Sequence, residues 1–223
     1  MSSERALIIT NGDPPTTADA NRWWQPGDLI IAADGGARHA LSLGLTPHIV
    51  IGDMDSLDDQ TREKLAKQGS RFIFHPSEKD ETDLELALLY AAQQAFSEII
   101  ILGAMGGRLD QLLANILLLT LPQLAALQVR LADNSQEAFV IHGGDQAAVE
   151  GQEGDTVSLI PLNGNAAGVY TQGLKWSLSG DTLLAGPARG ISNVITSLPV
   201  RVRLEKGSLL IVHRLEKQSN FQL

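Results

Sequence analysis

The strongest constraint on this chain is a set of short apolar runs that stop at glycine or acidic residues. Ala6-Leu7-Ile8-Ile9 ends at Thr10-Asn11-Gly12, and Asp28-Leu29-Ile30-Ile31-Ala32-Ala33 ends at Asp34-Gly35-Gly36. His48-Ile49-Val50-Ile51 ends at Gly52-Asp53, and Glu98-Ile99-Ile100-Ile101-Leu102 ends at Gly103. Arg71-Phe72-Ile73-Phe74 and Val129-Arg130-Leu131-Ala132 have the same character. Runs without polar alternation leave no face for water, so as strands they must be covered on both sides. Helix-like stretches fall between them: Ala37 to Leu43 closed by Gly44, Asp59 to Gln68 closed by Gly69, one opening at Asp80-Glu81-Thr82-Asp83, and Asp110 to Leu119. Strand alternating with helix predicts an α/β fold, a mostly parallel sheet with helices on both faces.

From about Phe139 the pattern changes. Thr156-Val157-Ser158-Leu159-Ile160 and Val200-Arg201-Val202-Arg203-Leu204 alternate apolar and polar residues, and turn signals recur at Gly151, Gly154, Asn163-Gly164, Ser179-Gly180 and Gly207. This predicts a C-terminal antiparallel β-sandwich. The expected domains are residues 1–140, α/β, and residues 141–223, the sandwich, with a boundary uncertain by several residues.

The chain's 223 residues carry 17 basic and 26 acidic side chains, a net charge of −9, with no Lys/Arg-rich run. A groove tracking nucleic-acid phosphates is therefore not expected. The absence of cysteine excludes disulfides, thiolate catalysis and Cys-ligated zinc. Met1-Ser2-Ser3-Glu4-Arg5 lacks a signal-peptide pattern, and no apolar stretch is long enough to span a bilayer. The expectation is a soluble cytoplasmic protein.

In open parallel sheets ligands bind beyond the carboxyl ends of the strands. Here those ends carry Asn11, Asp34, Gly35, Gly36, Asp53, Asp55 and Gly103. Asp53 and Asp55, one residue apart after a strand, can converge on a hard cation such as Mg²⁺, or can form an acidic turn before the next helix. Asp80 and Asp83 share a first helical turn if that helix starts near Lys79; acidic residues there also stabilise the helix dipole, with Thr82 and Glu85 as a capping box. Gly103-Ala104-Met105-Gly106-Gly107-Arg108-Leu109-Asp110-Gln111 is a glycine-rich strand-to-helix loop with a guanidinium that can clamp phosphate, or an ordinary turn with a surface arginine. It is neither a Walker A nor a dinucleotide motif. Several carboxylates close together raise one another's pKa unless a cation neutralises them. The set fits phosphoryl transfer, which works by positioning and charge stabilisation.

Asp34-Gly35-Gly36, Gly52-Asp53-Met54-Asp55-Ser56, Lys79-Asp80-Glu81-Thr82-Asp83 and Gly106-Gly107-Arg108-Leu109-Asp110-Gln111, in this order, resemble the thiamine pyrophosphokinase family. Gly173-Leu174-Lys175-Trp176 and Arg189-Gly190-Ile191-Ser192-Asn193 resemble its substrate-binding domain, so the likeness runs from about Ala32 to Val212. The resemblance implies transfer of pyrophosphate from ATP to the hydroxyl of thiamine, giving thiamine diphosphate and AMP. It implies a homodimer with the thiamine site where a catalytic domain meets the other subunit's sandwich. It also implies Asp53, Asp55 and Asp83 as Mg²⁺ ligands, with Asp80 a neighbouring ligand or base. Asp34, Gly35, Gly36, Arg108 and Gln111 would hold the nucleotide and its phosphates. Asp110 would do the same, contact thiamine or assist proton removal. Ser192, Asn193 and Trp176 would contact thiamine, Trp176 being otherwise a core residue. The sequence departs from the family at Gln111, where some bacterial relatives carry histidine, and at Val194, where many carry a polar residue. Other readings of the acidic rim are pyrophosphate transfer to another hydroxymethyl heterocycle such as a pterin, a Mg²⁺-dependent glycosyltransferase, which leaves Arg108 unexplained, or a non-catalytic nucleotide sensor.

Overall fold

Strand β1 (Arg5–Ile9) lies in the middle of a parallel sheet, flanked on one side by β2 (Leu29–Ala33) and on the other by β5 (Glu98–Leu102). The structure, a computed structural model, describes residues 5–216; the leader reading of residues 1–4 and the end of the expected second domain, 217–223, lie outside them. Its chain contacts separate into two units, one ending at Asn134 and one beginning at Ser135.

In the first unit β2 pairs with β3 (Ile49–Gly52), β3 with β4 (Arg71–Phe74), and β5 with β6 (Gln128–Ala132), all parallel. Leu7, Ile8, Ile9, Ile99, Ile100 and Ile101 are fully buried. Burial of each such side chain contributes about 1.5–3 kcal/mol, which is why strands without polar alternation occupy the centre. Five helices connect the strands: α1 (Thr17–Trp23), α2 (Gly36–Ser42), α3 (Asp59–Lys67), α4 (Asp83–Ala92) and α5 (Leu109–Leu118). The strands step outward from β1 to β4, then the chain returns to place β5 on β1's other side. The β1/β5 junction is therefore the topological switch point.

Two local differences from the sequence reading have clear causes. Helix α1 is not among the helices expected from the sequence; its N-terminus is fixed by a capping box in which Thr16 and Asp19 exchange hydrogen bonds, with Asp in place of the usual Glu or Gln. Helix α4 starts at Asp83, because Thr82 caps it by accepting the Glu85 N–H at 3.2 Å, so Asp80 precedes the helix and shares no turn with Asp83.

The second unit is antiparallel: β7 (Gln136–His142), β8 (Gln146–Val149), β9 (Thr156–Gln172), β10 (Ser179–Leu183), β11 (Asn193–Val194) and β12 (Val200–Arg214). β9 and β12 are long strands bent at their middles. They pair with each other; residues 208–214 of β12 also pair with β7 and residues 200–203 with β8, while residues 156–157 of β9 pair with β11 and residues 166–170 with β10. Val157, Leu159, Leu209 and Ile211 of one layer pack with Val169, Val202, Leu204 and Val149 of the other. The expected sandwich is thus made by folding two strands over. Asn163-Gly164 and Gly207 mark bends within strands, not turns between them. Gly207 has φ +99°, and a Cβ there would lie 2.6 Å from the Asn165 carbonyl oxygen.

His213 of β12 is fully buried, with Nδ1 3.1 Å from Glu137 and Nε2 3.0 Å from Asp155. Burial alone would lower its pKa, but hydrogen bonds to the two carboxylates outweigh this and raise it. A raised histidine pKa stabilises fully below the unfolded value of about 6.5 and is lost as pH rises through the folded value. The second unit should therefore weaken from neutral toward alkaline pH. His213→Ala, which removes the imidazole that Glu137 and Asp155 share, should cost about 3–5 kcal/mol in a urea titration.

Candidate active site

The first unit has a cleft of about 700 Å³ at the carboxyl ends of its strands. Its walls are the loops after β1, β2, β3 and β5 and the connection from β4 to α4. The loop after β1 crosses the one after β5 at close range: a Cβ on Gly12 would clash with the Gly103 carbonyl, and one on Gly106 with the Asp13 carboxylate. Gly103, Gly106 and Gly107 have φ of +75°, +91° and +66°, a region that favours glycine.

Three carboxylates converge on the cleft: oxygens of Asp34, Asp53 and Asp83 all lie within 4.8 Å of one another. Asp34 follows β2, is only 4% exposed and has φ +43°. Its backbone N–H donates to the Ile51 carbonyl at 2.8 Å, which locks it to the end of β3, yet its Oδ1 is buried without a hydrogen-bond partner. Asp53 Oδ1 accepts the Asp55 N–H at 3.2 Å, and this bond lowers the Asp53 pKa. Between them Met54, with φ +65°, is buried among Val50, Leu57 and Leu65 and anchors the turn. Asp83 opens α4. Burial raises its pKa, the Asp34 and Asp53 charges add to the rise, and Lys79, 3.0 Å away, opposes it. Three clustered carboxylates, with Asp34 Oδ1 buried without a partner and the buried Asp83 Oδ1 met by the Lys79 ammonium without a regular hydrogen bond, form an oxygen-only donor set suited to a hard divalent cation.

The other predicted residues are spread around this centre. Asp55 is exposed and outside the trio, although it lines the cleft. Asp80 is exposed and does not line it. Gly35 and Gly36 are buried: a Cβ on Gly36 would strike the Ile9 carbonyl, and one on Gly35 would strike the Asn11 side chain. That glycine pair lets α2 begin against the end of β1. Arg108 and Gln111 line the cleft. Arg108 makes a two-pronged contact with Asp110, Nε to Oδ1 at 3.1 Å and Nη2 to Oδ2 at 2.5 Å, which raises the arginine's pKa and lowers that of Asp110. The pair is exposed, with the guanidinium oriented by Asp110.

In the second unit Trp176 is 56% exposed, so it is not a core residue, and the Lys175 ammonium sits 4.9 Å from its ring centroid. Asn193 is buried and spends its amide on the Trp176 backbone: Oδ1 accepts the Trp176 N–H at 3.0 Å, and Nδ2 donates to the Trp176 carbonyl at 2.7 Å. Oδ1 also accepts the Val194 N–H at 2.9 Å. Asn193 therefore holds the Trp176 segment in place. Ser192 is exposed at φ +57°, with its N–H on Ser158 Oγ at 3.0 Å. Asn193→Ala should lower stability by about 2 kcal/mol in a urea titration, because buried backbone groups lose their partners.

The sequence matches two family profiles: "Thiamin pyrophosphokinase, catalytic domain" over residues 20–131 and "Thiamin pyrophosphokinase, vitamin B1 binding domain" over residues 146–209. The chain belongs to the thiamin pyrophosphokinase family. It is 27% identical over 205 residues to thiamine pyrophosphokinase of Bacillus subtilis, covering 92% of this chain and 96% of that one. It is 26% identical over 227 residues to thiamin pyrophosphokinase 1 of Caenorhabditis elegans, covering 96% and 91%. The crystal structure of the Bacillus subtilis protein superposes with a TM-score of 0.84 at 25% identity, covering 96% of this chain and 100% of that chain. The yeast thiamin pyrophosphokinase structure, at 16% identity, TM-score 0.75 and coverage of 96% and 87%, shares the fold.

The profile match to the family's catalytic domain includes Asp34, Asp53 and Asp83. It does not reach Thr10 and Asp13, cleft residues that sequence reasoning also gave no role. Their signal is the Thr10-Asn11-Gly12 turn after the first strand, from which only Asn11 was placed on the rim. Asn115 of α5 also lines the cleft unforeseen, its Nδ2 donating to the Ala104 carbonyl at 2.9 Å and bracing the β5–α5 loop.

Proposed function

We propose that this chain transfers pyrophosphate from ATP to the hydroxyl of thiamine, forming thiamine diphosphate and AMP with Mg²⁺. The observation that carries this reading is the Asp34–Asp53–Asp83 cluster with its orphaned Asp34 oxygen, beside the Arg108 loop, in a member of this family. Asp34, Asp53 and Asp83 would hold the cation, with Asp55 and Asp80 as outlying acidic groups. When bound, Mg²⁺ neutralises phosphate oxygens and makes the β-phosphorus more electrophilic. Arg108, held by Asp110, binds the phosphate chain as a planar clamp. Asp34, Gly35, Gly36 and Gln111 shape the nucleotide end. The thiamine hydroxyl attacks the β-phosphorus, its proton passing to a nearby carboxylate or water, and AMP departs. Trp176, steadied by Asn193, offers an aromatic face to thiamine, with Ser192 beside it in sequence.

In this reading the unit ending at Asn134 is the catalytic, nucleotide-binding domain and the unit beginning at Ser135, ahead of β7, is the thiamine-binding domain. The working unit is a cytoplasmic homodimer, and among the described residues no helix is long and apolar enough to cross a membrane. Leu109, Leu113 and Leu117 of α5, 70%, 53% and 52% exposed, form an apolar stripe that a second copy would cover. Light scattering tests the dimer.

Phosphorus NMR and mass analysis of products, with ATP, Mg²⁺ and thiamine, test the reaction. Thiamine diphosphate with AMP is expected. ADP with thiamine monophosphate would overturn the attack at the β-phosphorus. A pyrophosphorylated hydroxymethylpterin without any thiamine product would overturn the substrate. ATP binding with no AMP formed from either would make the chain a sensor.

A further inference from the structure

Lys79 has no part in the reaction just described, yet its placement is unusual. Its side chain is only 12% exposed, and its ammonium lies 3.0 Å from Asp83 Oδ1. The same charge acts on Asp53. Although Lys79 and Asp83 are four residues apart, this is no helical surface pair, because α4 begins at Asp83. The Ser77–Thr82 connection instead turns the lysine back over the carboxylates, and Ser77, Lys79 and Thr82 all line the cleft. A surface lysine gains little from one carboxylate and loses rotamer freedom when held. Holding it among three carboxylates is different, since it supplies a cation where their repulsion is concentrated.

We propose that Lys79 is a built-in counter-ion: it neutralises the Asp34–Asp53–Asp83 cluster until a divalent cation arrives, is displaced from Asp83 by it, and then engages the nucleotide's phosphates. This rests on the cation site proposed above and adds a competitor to it. Asp83 Oδ1 cannot ligate a cation fully while it faces the ammonium at salt-bridge distance. The ammonium thus tunes cation affinity, and its release into a cleft that receives a polyphosphate couples cation and nucleotide binding.

Two measurements test this without reading catalysis. The first is the Mn²⁺ dissociation constant of nucleotide-free protein, measured by electron paramagnetic resonance. Lys79→Met should bind Mn²⁺ at least about tenfold more tightly than the parent, since a unit charge a few ångströms away is removed. Equal affinity would overturn the proposal. The second uses the parent protein, so it stands even if the variant does not fold. Acylation of Lys79, followed by peptide mass spectrometry, should rise several-fold when Mn²⁺ is added and fall again with α,β-methylene-ATP. An unchanged rate on adding Mn²⁺ would overturn the displacement, and a rate that stays high with the nucleotide would overturn the phosphate contact. If the parent binds no Mn²⁺ that Asp34→Asn and Asp53→Asn abolish, the cation site itself is wrong, a failure distinct from a bound ion indifferent to Lys79.

Discussion

The Asp34→Asn protein should melt about 4 °C above the parent in EDTA while losing pyrophosphate transfer by about a thousandfold. The two effects have one origin. Asp34 is buried with Oδ1 unpartnered, and its charge adds to the burden on Asp83. Without a divalent cation, the cluster holds three carboxylates against one ammonium. An amide of the same shape removes one charge and can donate to a neighbouring carboxylate, a gain of about 1–2 kcal/mol. The backbone accepts the change, because asparagine tolerates the φ of +43° seen at this position. With the cation present, the same substitution removes a proposed ligand, and transition-state charge would go uncompensated. Scanning calorimetry in EDTA and in Mg²⁺ checks both arms. A variant less stable than the parent in EDTA would show that the cluster is not under electrostatic strain.

Gly52→Ala should be more damaging than any nearby conservative change. Gly52 has φ +147°, and a Cβ would lie 2.9 Å from Asp34 Cβ and 3.0 Å from Asp83 Oδ1. The methyl group would enter between two proposed ligands, and the backbone would have to leave a conformation that L residues rarely adopt. A stability loss of about 2–3 kcal/mol is expected, with activity falling at least about a hundredfold. Urea denaturation and initial rates on the same preparation measure the two losses. Parental activity would mean that the cluster geometry is not what the reaction uses.

The parallel core was readable because burial on both faces leaves a direct trace: past the Arg5 and Glu98 that open their strands, Leu7, Ile8, Ile9 and Ile99 to Ile101 lie in unbroken apolar runs and are all fully buried. Helix α1 left less trace, since only Asp19 and Ala20 in it are buried and its cap uses aspartate. The bent strands β9 and β12 read as separate short strands because their corners carry the same glycine signals as turns. Within the site, Asp53 and Asp83 each stand out in the sequence by a local acidic motif, and the structure brings their oxygens together with those of Asp34. Asp34 was read with the glycines beside it as a nucleotide loop. Its place next to Asp53 depends on β2 pairing with β3, with Ala33 opposite Ile51, and nothing local to residue 34 states that register. Asn193 looked like a ligand contact for a related reason: a buried side chain bonded to a backbone 17 residues away has no local signature.

The most direct test of the account is an anomalous-scattering map from crystals grown with Mn²⁺ and α,β-methylene-ATP. A peak bonded to carboxylate oxygens of Asp34, Asp53 and Asp83 is expected, with the nucleotide's phosphates completing the coordination. A peak held instead by Asp55, Asp80 or Asp110, with the trio left to Lys79, would contradict it.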